Sequence, residues 1–311
     1  PWWVTGESIL MRIGVDLGGT KIEAVALNDQ GTMLTRQRVS TPQHDYDGTV
    51  AAIAALVEAI EKETGERGTV GVGMPGALSP ATGLVKNANS TWLIGQPLDR
   101  DLSARLERPV RFANDANCFT LSEAVDGAAA GARVVFGVIV GTGTGGGVVV
   151  DRKVLTGPNA IAGEWGHNPL PWPREGEWPG PPCYCGKTGC VEQFLSGPGL
   201  ARDYREATGE DMAGPEIVSR AERGEAAADA CLGRYEDRMA RALTNVLNIL
   251  DPDVVVLGGG MSQIARVYDA VPRLWQEWAF SDRVDSVLRP PVHGDSSGVR
   301  GAAWLWGPGV A

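Results

Sequence analysis

At 311 residues the chain is long for one small module and short for three domains; about 100–200 residues per domain predicts two. Apolar residues make up 43% and charged residues 21%, a globular balance that excludes collagen-like and wholly disordered chains. The net charge of −10 argues against sequence-independent binding to a phosphate backbone, so no nucleic-acid partner is expected.

Residues Pro1 to Leu10 lack the basic start and apolar run of a secretory signal and read as an extension outside the fold. Ile13, Val15 and Leu17 then alternate as a strand, Gly18-Gly19-Thr20 makes a turn, and Ile22, Ala24 and Ala26 alternate again, which predicts a hairpin. Val50, Ile53, Ala54, Val57 and Ile60 recur at helical spacing. Val70 to Met74 is a short strand ending at Pro75-Gly76, and Val110 to Ala113 is another ending at Asn114-Asp115, with a helix to follow through Phe119, Leu121, Ala124 and Val125. A second hairpin is predicted from Val134 to Val150, turning through Gly141 to Gly147. Those glycines also break the most apolar stretch well short of the roughly 20 residues that span a bilayer, so no membrane partner and a cytoplasmic location are expected.

Pro169 to Pro182 is rich in Pro, Trp and Gly and predicts an irregular excursion. A long helical face from Leu232 to Leu250 is stopped by Asp251-Pro252, and Val254 to Leu257 is a buried strand ending in Gly258-Gly259-Gly260. The class is α/β, and two glycine-turn hairpins, one per half, suggest a duplicated architecture. The break is expected near residues 117–133. The expected domains are 11–117, with a C-terminal helix at about 301–311 packing back on it, and 118–300, carrying a metal-binding insertion.

Three glycine clusters at strand ends point to a nucleotide. Asp16, Gly18, Gly19, Thr20 and Lys21 form the first; Gly141, Thr142, Gly143, Thr144 and Gly145 the second; Gly258, Gly259 and Gly260 the third. Glycines let the backbone approach phosphate oxygens closely, and Asp16 could face a Mg²⁺ that accompanies them. The first cluster is neither a P-loop nor a Rossmann fingerprint, because a strand rather than a helix follows. Asn114-Asp115 is either a helix cap or a carboxylate poised to take a hydroxyl proton. Glu164 and His167 share a side if their segment is helical. Five cysteines, an odd number, argue against a disulfide framework. His167 with Cys183, Cys185 and Cys190 is a known closed tetrahedral zinc set, the alternatives being free thiols or a redox role. Zinc there would pin Glu192 in place.

These motifs resemble the ROK family of bacterial sugar kinases and repressors, in the family's order, from Met11 to Trp306. They are Asp16 to Lys21, Asn114-Asp115-Ala116-Asn117, Gly141 to Gly147, Glu164-X-Gly-His167 and the Cys183-to-Glu192 run. The resemblance implies an actin-like, hexokinase-like (ribonuclease H-like) fold of two α/β domains around a cleft, usually as a homodimer. It implies ATP with Mg²⁺ and phosphorylation of a hexose on its 6-hydroxyl. It makes Asp115 the catalytic base, sets Gly76, Asn89, Asn114, Asp115, Glu164, His167 and Glu192 around the sugar, and puts His167 on structural Zn²⁺ as well. Lys86 to Trp92, Ala162 to Trp172 and His293 to Trp304 are most similar to fructokinases of the manno(fructo)kinase type. Fructose is therefore the expected sugar, with mannose or glucose as further acceptors. N-acetylglucosamine kinase or glucokinase is the alternative. A sugar-responsive repressor is disfavoured, because ten residues before the first strand cannot hold a helix-turn-helix.

Overall fold

The computed structural model describes residues 11–307. The extension expected over residues 1–10 and the last part of the helix expected at 301–311 lie outside the described residues. The chain forms two compact units. One takes the chain through Gly127, Arg152–Ala162 and the segment from Asp295 onward; the other takes Ala128–Asp151 and Gly163–Gly294. Among the described residues no helix is long and apolar enough to cross a membrane.

In the first unit, β1 (Arg12–Leu17) and β2 (Lys21–Leu27) make an antiparallel hairpin with Leu17 opposite Ile22. β3 (Met33–Ser40) extends it at the edge. α1 (Tyr46–Thr64) begins where the Asp45 side chain accepts the Gly48 amide and ends at Gly65, which is left-handed. Its face of Ile53, Ala54, Val57 and Ile60 is fully buried. β4 (Thr69–Met74) pairs in parallel with β1. The short strands β5 (Ala77–Leu78) and β6 (Val85–Lys86) and the helix α2 (Leu98–Leu106) lead to β7 (Val110–Asn114), parallel to β4. The sheet order is β3-β2-β1-β4-β7. α3 (Asp115–Val125) follows directly.

The division after Gly127 falls inside the range 117–133 expected for the break; α3 lies wholly in the first unit, so the break comes after this helix and not at residue 117. The short strand β10 (Lys153–Val154) and the rest of Arg152–Ala162 also belong to the first unit, not the second.

The second unit repeats the plan. β8 (Val134–Val140) and β9 (Thr144–Val150) form an antiparallel hairpin with Val140 opposite Thr144. β11 (Val254–Gly258) pairs in parallel with β8, and β12 (Val287–Arg289) in parallel with β11. In both sheets, then, a glycine-turn hairpin is followed by two parallel strands on the far side of its first strand. The helices are α4 (Val191–Leu195), α5 (Gly197–Thr208), α6 (Gly214–Glu222), α7 (Ala226–Leu250) and α8 (Val267–Leu274). α7 stops at a left-handed Asp251 before Pro252, as the sequence predicts. Each unit has its own apolar core: Ile13, Val15, Ile53, Val57 and Val72 contribute to the first, and Phe136, Val138, Leu232, Met239 and Val255 to the second.

The last helix, α9 (Ser297–Ala303), starts four residues earlier than expected and passes into a 3₁₀ turn at Trp304–Trp306. It lies directly on α3 and on the first sheet, backbone against backbone. A Cβ on Gly301 would fall 1.6 Å from the Cys118 carbonyl oxygen, and one on Gly14 would fall 2.0 Å from that of Val299. Buried polar contacts lock this seat: Ser297 donates to Glu123 at 2.7 Å, and Arg300 pairs with Asp126 and donates to the Gly31 carbonyl. Gly301→Ala should destabilise the protein by about 1–3 kcal/mol or more, the usual overpacking cost. Gly233→Ala, mid-helix with nothing near its Cβ, should stabilise it by about 0.5–1 kcal/mol. Urea midpoints of the two variants against the parent measure both.

Candidate active site

In the first unit the residues singled out from sequence gather at the carboxyl ends of three adjacent parallel strands, where open α/β sheets bind ligands. Asp16 is on β1, Gly76 follows β4, and Asn114 ends β7. The glycine turn after β1 is braced by the end of β3. Thr41 donates to the Gly18 carbonyl at 2.7 Å and Gln43 to that of Gly19 at 3.0 Å. Thr20 and Lys21 are exposed beside it.

Asn114 is the helix cap, accepting the Ala116 amide at 2.9 Å, while its amide donates to the Gly76 carbonyl at 3.1 Å. Asp115 accepts the same amide at 2.8 Å. The capping reading of this pair therefore holds for Asn114. Solvent reaches the Asp115 side chain, yet protein crowds it, and that burial raises its carboxyl above the usual range despite the hydrogen bonds that oppose the shift. Asp16 is pushed up to about 6, first by burial, then by the carboxylates of Asp115 and Glu23, against a smaller pull from Lys21. A buried carboxyl raised by a neighbouring carboxylate suits a divalent cation, so Asp16 fits the Mg²⁺ role expected of it. Gly76 is left-handed and seats directly on the Lys86-to-Ala88 backbone, 2.3 Å from the Lys86 carbonyl as measured to a notional Cβ. That contact carries Asn89, which is exposed, toward the strand ends.

In the second unit, Glu164 to His167 is not a helix, so the shared helical face expected for Glu164 and His167 is corrected. The segment is a turn packed flat on β9, closed by the Asn168 amide donating to the Trp165 carbonyl at 3.0 Å. A Cβ on Gly166 would lie 1.9 Å from the Thr144 carbonyl, and Trp165 is buried with its indole donating to the Gly145 carbonyl at 3.0 Å. Helical spacing is a poor guide where glycines permit such contact.

Glu192 joins the parts. It is 8% exposed, and its carboxylate accepts the Thr144 amide at 3.0 Å, inside the second glycine turn. Its own amide donates to the Gly166 carbonyl at 2.9 Å. The same turn meets the N-terminus of α5, where the Gly197 amide donates to the Gly141 carbonyl at 2.8 Å, and it meets the third cluster through Gly259, packed on Val140. The second and third glycine clusters therefore form one cradle with a helix start, an arrangement suited to phosphate. A pocket of about 510 Å³ opens beside Gly260, lined by Ser262, Gln263, Tyr268, Pro290, Pro291 and Val292 among others. Sequence reading missed this lining, although the glycine cluster next to it was the signal.

His167, Cys183, Cys185 and Cys190 converge, with their ligand atoms all within 4.8 Å of one another. His167 Nδ1 is 3.6 Å from Cys183 Sγ, and the Cys185 and Cys190 sulfurs are 3.6 Å apart. A disulfide needs about 2.05 Å. Tetrahedral zinc, with bonds of about 2.3 Å to sulfur and 2.0–2.1 Å to nitrogen, sets ligand atoms about 3.5–3.8 Å apart, so the four residues fit it. The cluster stands on a loop clamped to α7: Glu177 is buried and receives Arg238 at 2.8 Å and Arg241 at 2.9 Å, while Arg241 also donates to the Pro171 and Trp172 carbonyls. The sequence shows this stretch only as irregular.

The ROK family pattern matches residues 12–308. An N-acetyl-D-glucosamine kinase of Erwinia tasmaniensis is 42% identical over 308 residues, covering 95% of this chain and 99% of that protein. Among solved structures, the ROK hexokinase of Thermus thermophilus superposes with a TM-score of 0.85 at 31% identity, over 95% of this chain and 97% of that one. A ROK family glucokinase of Streptomyces griseus, in complex with glucose and AMPPNP, gives 0.73 at 28%, over 95% and 98%. The fold is actin-like, as the motifs imply.

Removing the Glu192 carboxylate should free the turn it holds. A charged hydrogen bond contributes about 1.5–3 kcal/mol, so Glu192→Ala should speed hydrogen exchange across Gly141 to Gly145 by about tenfold or more. Peptide-level deuterium uptake reads this directly.

Proposed function

The chain belongs to the ROK family, and from that premise we propose that it is an ATP-dependent sugar kinase acting on N-acetyl-D-glucosamine at its 6-hydroxyl. The observation that carries the choice of sugar is the 42% identity, over nearly the whole length of both chains, to an N-acetyl-D-glucosamine kinase. The motif context around Asn89 and Trp165 favours fructose instead. The full-length relatives support the acetamido sugar, the alternative to that preference. An ADP-release assay with N-acetylglucosamine, glucose, mannose and fructose tests it. The acetamido sugar should lead by at least about tenfold in kcat/KM, since a site built to pair an amide discriminates against sugars lacking it. A higher value for fructose would return the protein to the fructokinase reading.

A sugar hydroxyl is a weak nucleophile with a high pKa, so a positioned carboxylate helps, and the rest of phosphoryl transfer is orientation and charge neutralisation. Asp115 is the base: one of its oxygens is held by the Ala116 amide, and its raised pKa brings its basicity toward working pH. Asn89, Asn114, Gly76, Glu164, His167 and Glu192 are assigned to the sugar, Asp16 with the Gly18-to-Lys21 turn to the metal and phosphates, and the Gly141-to-Gly145 and Gly258-to-Gly260 cradle to the nucleotide, whose base we assign to the pocket by Tyr268. Mg²⁺, when bound, neutralises developing phosphate charge. The positive end of the α5 dipole beside the glycine cradle favours the negative charge of phosphate oxygens there.

Asp115→Asn should lower kcat by about 10²–10⁴-fold, the scale of a general base, while keeping the fold. Because burial raises the Asp115 carboxyl, the neutral amide removes a cost at neutral pH, and the variant should melt no lower than the parent at pH 7.5. The sign for activity follows. The deprotonated form works, and a raised pKa means that form is lost at a higher pH than for an ordinary carboxylate. The acid limb of kcat/KM should therefore fall above the ordinary Asp range near 4. A limb at about 4 or below would remove Asp115 from the role.

We also propose one structural Zn²⁺ per chain on His167, Cys183, Cys185 and Cys190, and a homodimer in solution. Elemental analysis of protein purified without added metal should give one equivalent. Cys185→Ser should lose metal and thermal stability together. Native, active protein free of metal would overturn the zinc assignment.

A further inference from the structure

Asn89, assigned to the sugar, and the Gly18-to-Lys21 turn, assigned to the phosphates, meet at a residue that neither assignment includes. Ser90 follows Asn89 and is 3% exposed. Its Oγ faces the turn: a Cβ built on Gly19 would find one heavy atom within 4 Å, that Oγ at 3.5 Å. Gly19, Thr20 and Lys21 are exposed, so a ligand can reach the turn that the hydroxyl faces.

Both sides of this contact are fixed. Thr41 and Gln43 hold the Gly18 and Gly19 carbonyls. On the other side, Ser90 starts the 3₁₀ turn Thr91–Leu93, in which Leu93 is fully buried and the Trp92 indole donates to Thr49 of α1 at 3.3 Å. The Leu93 amide donates to the Ser90 carbonyl at 3.0 Å, so the backbone closes this turn without help from the side chain. A serine in such a position usually accepts an amide of the turn it starts. This one makes no capping hydrogen bond, and among the described residues its Oγ has no hydrogen-bond partner. Alanine would fill the same space. A hydroxyl drawn out of solvent with no partner is unfavourable unless a ligand supplies one.

We propose that Ser90 contacts the transferred phosphoryl group: its hydroxyl donates to an oxygen of the terminal phosphate of the nucleotide. The turn takes the phosphates and the residue before Ser90 takes the sugar, so a donor between them faces the group that passes from one to the other. Terminal phosphate oxygens carry charge and accept hydrogen bonds, and a donor already fixed in place stabilises that charge without reorganising. The hydroxyl keeps its own proton. It holds an oxygen while the P–O bond to the nucleotide breaks and the bond to the sugar oxygen forms, the sugar proton going to Asp115. The inference rests on the kinase reading above and adds a residue to it.

Ser90→Ala removes the hydroxyl and leaves the Cβ. With the best of the four sugars saturating, kcat/KM for ATP should fall by about 10–100-fold, the worth of a hydrogen bond to a charged group. Inhibition by ADP, which lacks the terminal phosphate, should stay within about twofold of the parent, and so should the affinity for that sugar measured without nucleotide. The urea midpoint should not drop, because no protein hydrogen bond is lost. An unchanged kcat/KM for ATP overturns the inference. So does weaker sugar binding in the nucleotide-free variant, which would give the hydroxyl to the sugar, and so does a lower urea midpoint, which would make it part of the local fold. If the parent protein phosphorylates none of the four sugars, the kinase reading itself falls. If the parent turns over and the variant matches it, only the role of Ser90 falls.

Discussion

The structure depends on a few places where backbone meets backbone with no room for a side chain. α9 can lie against the first sheet and α3 only because Gly14 and Gly301 have no Cβ, and the Glu164-to-His167 turn can lie on β9 only because Gly166 has none. Interiors are packed as densely as organic crystals, so an added methyl at such a point cannot be absorbed by a shift of neighbours. The functional consequence is positional. The first contact fixes the strand ends that carry Asp16 and Asn114, and the second fixes Glu164 and His167 against the turn that carries Thr144.

Glu192 then turns that packing into a polar circuit. Its carboxylate accepts from the glycine turn, its amide donates to the segment that carries His167, and its neighbour Cys190 belongs to the thiol cluster. A ligand on the turn and a ligand at His167 would both act on one buried carboxylate. The clamp of Glu177 on Arg238 and Arg241 holds the outer part of the same loop. Breaking a buried pair of this kind by removing one partner typically costs about 3–5 kcal/mol, because a charge is left uncompensated.

Much of this was legible in the sequence, for identifiable reasons. Hairpins announce themselves by alternation around Gly/Thr turns, and α1 and α7 by apolar spacing ended by Gly65 and by Asp251-Pro252. The Cys183-to-Cys190 spacing pointed to one cluster. β3 was not legible because it is an edge strand whose residues, such as Arg36 and Arg38, are exposed and do not alternate in polarity. The segment at Glu164 was misread because an i, i+3 spacing carries helical meaning only inside a helix. The choice between acetamido sugar and fructose was not legible, since it turns on the shape of a pocket rather than on residue types in a motif.

The first unit is built from three separated stretches of chain, and its final piece is α9. During synthesis, the sheet formed by residues 12–114 therefore emerges with the face under Gly14 and Gly71 bare, and it stays bare until residues 297–303 have left the ribosome. The second unit, whose segments span 128–294, can collapse first, although it lies later in the sequence. Contacts between strand β1 and helix α9 span so much chain that closing them carries a large loop entropy, which the prior folding of the intervening unit shortens. The order of maturation in this protein thus runs against the order of its residues, and a ribosome stalled before Ser297 would hold one finished unit and one open sheet.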